Sequence, residues 1–299
     1  TTAWTATNGD TTFDAVVSPV VPGSVADKAQ TAAVTDLNAD SADVNETVTY
    51  TKVGSLVPSS SDGNFPGARP VVYPNDPSDA TKVTPAGVPT VPGYTAHDPE
   101  GHVLTPGSSY QPSDPTKDTT ITYTADQQQG SVSYVDDTTG KTLKTDSISG
   151  TTGSKSSYST SGSIADYKKQ GYELVTDGYP ADLTFDNDDT TDQNFTVHLK
   201  HRLTPVNPTD PQTPGTPINP DEPDGPKWPT STNYDKTVNE TISYADQNGH
   251  VVAKQHTDSV NFTRTVVVDN VTGEVITSGA GTTAWTATNG DTTFDAVVS

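Results

Sequence analysis

The densest set of potential ligands in the chain lies in seven residues, Asp186-Asn187-Asp188-Asp189-Thr190-Thr191-Asp192. Side-chain oxygens at Asp186, Asp188, Thr190 and Asp192 alternate as they do where a short loop wraps a hard cation, and Ca²⁺ is the metal such oxygens suit. A helix-flanked calcium loop also needs Gly at its sixth position and a distal Glu. Here Thr191 stands sixth and the distal Glu is missing. The four residues are the metal candidates, and the choice lies between a weak Ca²⁺ loop and a solvated acidic turn.

Other reactive chemistry is sparse. The chain has no cysteine, so it offers neither a thiolate nucleophile nor a disulfide. No Gly-x-Ser-x-Gly elbow occurs. The histidines, at 97, 102, 198, 201, 250 and 256, are scattered. His198 and His201 are three apart, which on a strand puts them on opposite faces and makes a shared metal a poor prospect. Thirty-eight Asp and Glu residues make any one carboxylate pair uninformative for glycoside hydrolysis. The expectation is a protein that is not an enzyme, with no catalytic or cofactor-binding residue to assign and no ligand contact legible.

The elements that would position any site are strands. Val48-Thr49-Tyr50, Ile121-Thr122-Tyr123, Val132-Ser133-Tyr134 and Ile242-Ser243-Tyr244 repeat one pattern, aliphatic and tyrosine inward with a hydroxyl outward. Phe195, Val197 and Leu199 alternate in the same way. Turn signals separate these runs: Asp136 to Gly140, Asp246 to Gly249 and Asp269 to Gly273, each closed by a glycine. One short helix is predicted from Ile164 to Gln170, capped by Ser163 with Asp166 as capping-box acid and ended by Gly171. Trp4, near Phe13, is expected in a core, and Trp228 against a following domain.

A net charge of −22 disfavours nucleic acid and anionic membranes as partners. No apolar run is long enough to insert in a membrane. The segment TTAWTATNGDTTFDAVVS occupies residues 1–18 and again 282–299, an offset of 281 residues from Thr1 to Thr282. An identical octadecamer points to a tandem array cut out of phase with its folding unit, and arrays build stalks and adhesive surfaces. Nine prolines, Pro205 to Pro229, fall at every third residue. That period matches polyproline II and predicts a stiff spacer.

Three segments resemble a known family. GSVSYVDDTTGKTLKTDSISGT (130–151), IADYKKQGYELVTDGYPA (164–181) and FDNDDTTDQNFTVHLKHR (185–202) resemble a module of the mucus-binding surface adhesins of lactobacilli. YADQNGH (244–250), VNFTRTVVVDNVTGEVI (260–276), Trp285 and FDAVVS (294–299) resemble the second module of the same repeats, continuing through PVVPG (19–23) to Tyr50. Gly23-Ser24 departs from the Gly-Tyr that the family usually carries there.

The resemblance implies a mainly β fold with a short helix, built of β-grasp-like modules in an elongated multi-domain repeat with Pro-rich linkers. The expected division has five parts. Residues 1–57 are the rear half of a split β module, and 58–117 a Pro-rich linker or small β element. Residues 118–203 are the mucin-binding-type module, 204–231 the polyproline spacer, and 232–299 the front half of the split module. Also implied are an extracellular, wall-anchored location and weak multivalent binding of mucin glycoproteins and their glycans. A passive stalk and an immunoglobulin-binding module are the alternatives. The split module adds the expectation of head-to-tail self-association.

Overall fold

Strands form where a β-branched or aromatic residue alternates with a hydroxyl, because each then buries one face. In the computed structural model, which describes residues 1–298, they gather into two units. The first holds residues 1–129, 149–156 and 184–193, and the second holds 130–148, 157–183 and 194 onward.

The first unit runs β1 (Ser24–Ala26), β2 (Tyr50–Lys52), β3 (Ser55–Ser59), β4 (Val71–Val72), β5 (Ala86–Gly87), β6 (Tyr94–His97), β7 (Val103–Leu104), β8 (Ser109–Tyr110) and β9 (Thr119–Ala125). Its main sheet has the order β4-β3-β9-β6-β7, with β3 and β9 parallel and the other pairs antiparallel. Leu56, Tyr73, Ile121 and Tyr123 are large, fully buried side chains of its core. Buried phenols need partners: Tyr73 donates to Thr119 Oγ1 at 2.6 Å, and Tyr123 donates to the Pro89 carbonyl.

This core separates the two alternatives for one segment, in favour of a β element, and corrects one boundary. Residues 58–117 are not a linker, since Tyr73, Val83, Ala86, Val88, Val91, Tyr94 and Ala96 all belong to it. The segment has few apolar residues but places many of them in the core. Pro58 lies in β3 beyond the last residue paired with β4. The correction concerns the boundary at 118. β9 pairs with β3 and β6, so it belongs to the first unit and not to the module that follows it.

The second unit is built on β10 (Gln127–Asp136), β11 (Lys141–Thr151), α1 (Ser161–Lys169), β12 (Tyr172–Asp177) and β13 (Gln193–His201). These strands form one sheet in the order β11-β10-β13-β12, and the ends of β10, β11 and β13 fall in the residues counted with the first unit. Val132, Tyr134, Val197 and Leu199 are fully buried, as their alternation predicts. α1 starts before the predicted Ile164. Thr160 is its N-cap residue, with no side-chain cap, and Thr160 Oγ1 donates to Asp177 Oδ2 at 2.6 Å instead. Ser163 does not cap either: its oxygen accepts from Lys144 Nζ at 2.6 Å. Gly171 does end the helix, at φ +98°.

Two further sheets follow in this unit. β14 (Leu203–Val206), β17 (Val266–Asp269) and β18 (Val275–Ile276) form one, and β15 (Asp235–Ala245), β16 (Val251–Thr263) and β19 (Thr286–Ala287) form the other, all antiparallel. The proline run is not a rod. Pro205 lies in β14 opposite Val267, and Asn207 and Asp210 close a turn. Further on, the chain doubles back, with Gly215 N bonded to Trp228 O, Ile218 N to Pro226 O and Trp228 N to Thr216 O. Ile218 and Trp228 pack with Val206, Tyr234, Val266 and Val268. Burial of those two apolar anchors outweighs the local preference for extension. Among the described residues no helix is long and apolar enough to cross a membrane.

Candidate functional site

At the end of β13, one histidine joins two turns of the same design. Asp136-Asp-Thr-Thr-Gly140 and Asp269-Asn-Val-Thr-Gly273 each close through the glycine N–H on the first aspartate's carbonyl, at 2.7 and 2.8 Å. Both glycines have positive φ, +76° and +77°. Each aspartate side chain also grips its own turn: Asp136 accepts from Thr138 N and Thr139 Oγ1, and Asp269 from Val271 N and Thr272 N. His201 lies between the two carboxylates. Its Nε2 is 2.7 Å from Asp136 Oδ2 and its Nδ1 is 2.7 Å from Asp269 Oδ2.

All three side chains are buried. Burial disfavours the imidazolium, yet the hydrogen bonds and charges of Asp269 and Asp136 outweigh it and hold the His201 pKa above 6.5. Burial likewise pushes the Asp136 carboxyl up, but its bonds from His201, Thr139 and Thr138 hold it below 3.8. The imidazolium thus fastens β10, β13 and β17 at one point. His198, three residues earlier, faces outward and meets Asp137 Oδ1 at 2.7 Å.

A row of rings runs from this joint. Tyr172 meets His201 edge-on at 5.3 Å, Tyr167 meets Tyr172 at 5.5 Å, and Tyr134 lies 5.7 Å from Tyr167. Lys144 Nζ sits 4.9 Å above the Tyr134 ring. Tyr134 and Tyr158 share a 2.5 Å hydroxyl contact, and Tyr158 donates to Asp146. Burial, then those two hydrogen bonds, push the Tyr158 phenol up, so it remains a donor.

Beside the joint an open pocket of about 440 Å³ lies between the end of α1, Tyr172, Arg202, Asn270 and the Ile218–Asp221 turn. Its floor is a run of backbone bonds: Gly171 O accepts from Arg202 N, and Arg202 O accepts from Asn270 N, both at 2.9 Å. Buried Asn219 adds Nδ2 to Asn270 O at 2.7 Å. A Cβ on Gly171 would lie 2.4 Å from Asn270 O, so only glycine permits this approach.

In the acidic run at 186–192 the Asp186 and Asp188 carboxylates bond within the run. Asp186 accepts from Asp188 N, and Asp188 accepts from Thr190 N and Oγ1, so these carboxylates cap their own turns. Asp188 is held below 3.8 by the Thr190 bonds. Among the described residues, the three-residue group whose ligand atoms do converge, within 4.8 Å, is Asp98, Glu100 and His102 in the first unit, with Asp98 half-buried and the other two exposed. Asp186, Asp188 and Asp192 form no such group among the described residues. Sequence reasoning weighed His201 only as a metal ligand shared with His198 and did not foresee its place between two carboxylates. The available signal was the pair of Asp-x-x-Thr-Gly turns, which marks two carboxylates held alike but not what lies between them.

A many-sheet β protein with one helix, an internal repeat and a rigid aromatic joint is a repeat module in class. Residues 128–201 match the mucin binding domain family, and residues 1–54 and 229–299 match the Muc B2-like domain family. The chain belongs to the mucin-binding repeat family of bacterial surface adhesins. It is 36% identical to the type 2 repeat of the mucus binding protein MUB from Lactobacillus reuteri, over 53% of this chain and 74% of that one, with a TM-score of 0.37. The crystal structure of Mub-RV is 34% identical over 54% of this chain and 73% of its own, with a TM-score of 0.39. No curated protein matches the chain.

Proposed function

We propose that the chain is a repeat of an extracellular, wall-anchored bacterial adhesin that binds host mucus glycoproteins through many weak contacts. The observation that carries this is the co-occurrence of the two matched domains with identity of about one third to MUB repeats. Linking weak sites raises effective concentration, so avidity grows with copy number without new contacts. Mucin immobilised on a sensor surface tests it. A single copy should bind weakly, and a tandem of three should dissociate far more slowly. A tandem that does not bind would leave only the stalk.

Binding rather than catalysis is the proposed mode, and mucin incubated with the protein should release no sugar. The capped carboxylates at 186–192 favour retention that survives a chelator. Two finer points have support of their own. β15 is an eleven-residue edge strand, mostly exposed, which suits strand addition by an immunoglobulin domain. Retention from serum would reveal it. The Muc B2-like match is split between 1–54 and 229–299, and Val16, Val17, Val238, Val251 and Val252 are left exposed in its two halves. Mutual covering of those halves between neighbouring copies would give head-to-tail association, seen as concentration-dependent light scattering.

A further inference from the structure

We propose that the chain makes its own covalent tie, an ester between the Thr152 hydroxyl and the Gln128 side chain that forms with loss of ammonia. The participating residues all belong to the first unit and arrive from separate segments. Gln128 stands at the start of β10, Thr152 directly follows β11, and Asp189 comes from the turn before β13. Gln128 Nε2 donates to Thr152 Oγ1 at 3.1 Å and to Asp189 Oδ1 at 2.6 Å. The nitrogen that has to leave is thus touched by both the attacking oxygen and a carrier for its proton.

Packing fixes this encounter. Gln128 and Thr152 are only 3% and 6% exposed. Thr152 N donates to Asp126 O at 3.0 Å, and the Thr152 hydroxyl donates to Gly93 O at 2.9 Å. Gly93 has φ +77°, and a Cβ there would lie 2.7 Å from Thr152 Oγ1. Only glycine lets that loop press on the hydroxyl. A nucleophile and an amide held in one geometry react far faster than the same groups meeting in solution. Burial also keeps water from reopening the product.

A neutral amide bonded to a hydroxyl needs no acid, yet two carboxyls stand beside this one. Asp126 accepts from Thr95 Oγ1 and neighbours Asp189. Burial pushes the Asp126 carboxyl above 3.8 against the bond from Thr95, and Asp189 adds to the rise. The pair therefore holds a proton more readily than free carboxyls do. The step balances without a co-reactant. Thr152 Oγ1 bonds to Gln128 Cδ, and the Cδ–Nε2 bond breaks. The hydroxyl proton passes through Asp189 to Nε2, which departs as ammonia. Thr95, Asp126 and Asp189 line a cavity of about 220 Å³, and Asp189 is exposed, which gives ammonia an exit. The product closes the loop from Gln128 to Thr152 in a chain that has no cysteine to close one. Such a closure stabilises by restricting the unfolded chain, as a disulfide does.

The test is intact mass spectrometry of the full folded chain, followed by digestion with trypsin. The mass should fall short of the sequence mass by one ammonia. Cleavage after Lys117, Lys141, Lys144 and Lys155 separates Gln128 from Thr152, so a product joining 118–141 to 145–155 should appear. Hydroxylamine should split it. Thr152→Ser keeps a hydroxyl and should keep the tie. Thr152→Val removes the hydroxyl and should restore the full mass. Asp189→Asn removes the proton carrier and should leave most molecules untied. A parent that carries its full sequence mass overturns the proposal, and that reading needs no variant to fold. Ammonia loss that persists in Thr152→Val overturns it too, because Asn8-Gly9, Asn248-Gly249 and Asn289-Gly290 can each lose ammonia as a succinimide. Complete tying in Asp189→Asn overturns the part given to that carboxyl.

Discussion

Residues 1–18 and 282–299 are the same sequence, yet they are held at opposite ends. In the first copy the front is loose and the back is fixed. Trp4 is 90% exposed, while Phe13 pairs with Val34 and Val17 with Gln30. In the second copy the order reverses. Thr286 and Ala287 form β19 against β16, and Trp285 lies under Arg264 at 4.4 Å and Lys236 at 5.3 Å. Beyond Thr293 no backbone bond ties the described residues to another segment. Each copy orders the half whose partners lie nearby in sequence, β16 before it or residues 28–37 after it. Identical side chains therefore acquire structure from neighbours and not from their own propensity.

The same contrast holds for other like pairs, and each can be pressed. The largest difference should separate His201 from His198. His201→Ala leaves two buried carboxylates without their cation and should cost about 3–5 kcal/mol in urea unfolding. His198→Ala, at an exposed pair, should change stability by less than about 1 kcal/mol. The His201 contribution has a defined pH window. Its folded pKa is raised, so the stabilisation is complete below the unfolded value near 6.5 and fades as pH rises through the folded one. Asp136 is lowered, so its share is present above 3.8 and lost as pH falls through its folded value. The gap between parent and variant should thus be widest in mild acid. A gap independent of pH would deny the ion pair.

Two glycines give the next contrast. Gly171 and Gly140 both have positive φ, +98° and +76°. Alanine at 140 meets open space and should cost about 1 kcal/mol from the backbone alone. Alanine at 171 meets the Asn270 carbonyl as well and should cost about 3 kcal/mol. Equal losses would mean that the α1 end does not press on that loop. The tryptophans come third. Trp285→Ala should lose about 2 kcal/mol through its two cation contacts and packing, against less than about 0.5 kcal/mol for Trp4→Ala. Smallest is a spectroscopic difference. Acrylamide should quench Trp4 fluorescence more steeply than Trp285, read in single-tryptophan variants, and similar slopes would erase the distinction between the copies.

Strand positions were legible where alternation is strong. Ile121, Tyr123, Val132, Tyr134, Val197 and Leu199 are buried as their period requires. The three turns closed by Gly140, Gly249 and Gly273 were legible too, because positive φ is close to a glycine monopoly. Period misled in the proline run. Three-residue spacing states a preference for extension but says nothing of Ile218 and Trp228, whose burial folds the segment back. Composition left 58–117 open between a linker and a small β element, and its few apolar residues suffice for a shared core. Trp4 was expected inside, and it lies outside because nothing adjacent covers it.

By itself the sequence determined the local alphabet: which stretches are strands, where the chain turns, that the net charge is strongly acidic, and that the pattern belongs to a repeat. Local sterics and side-chain alternation act over a few residues, so a string of letters is enough to express them. Tertiary structure alone decided that Asp136 and Asp269 share one imidazolium, that Lys168, Lys169 and Arg202 face a single pocket, and that Trp285 is covered while Trp4 is bare. Those outcomes depend on distances between residues far apart in the chain, and such distances are set only when burial chooses which strands pair.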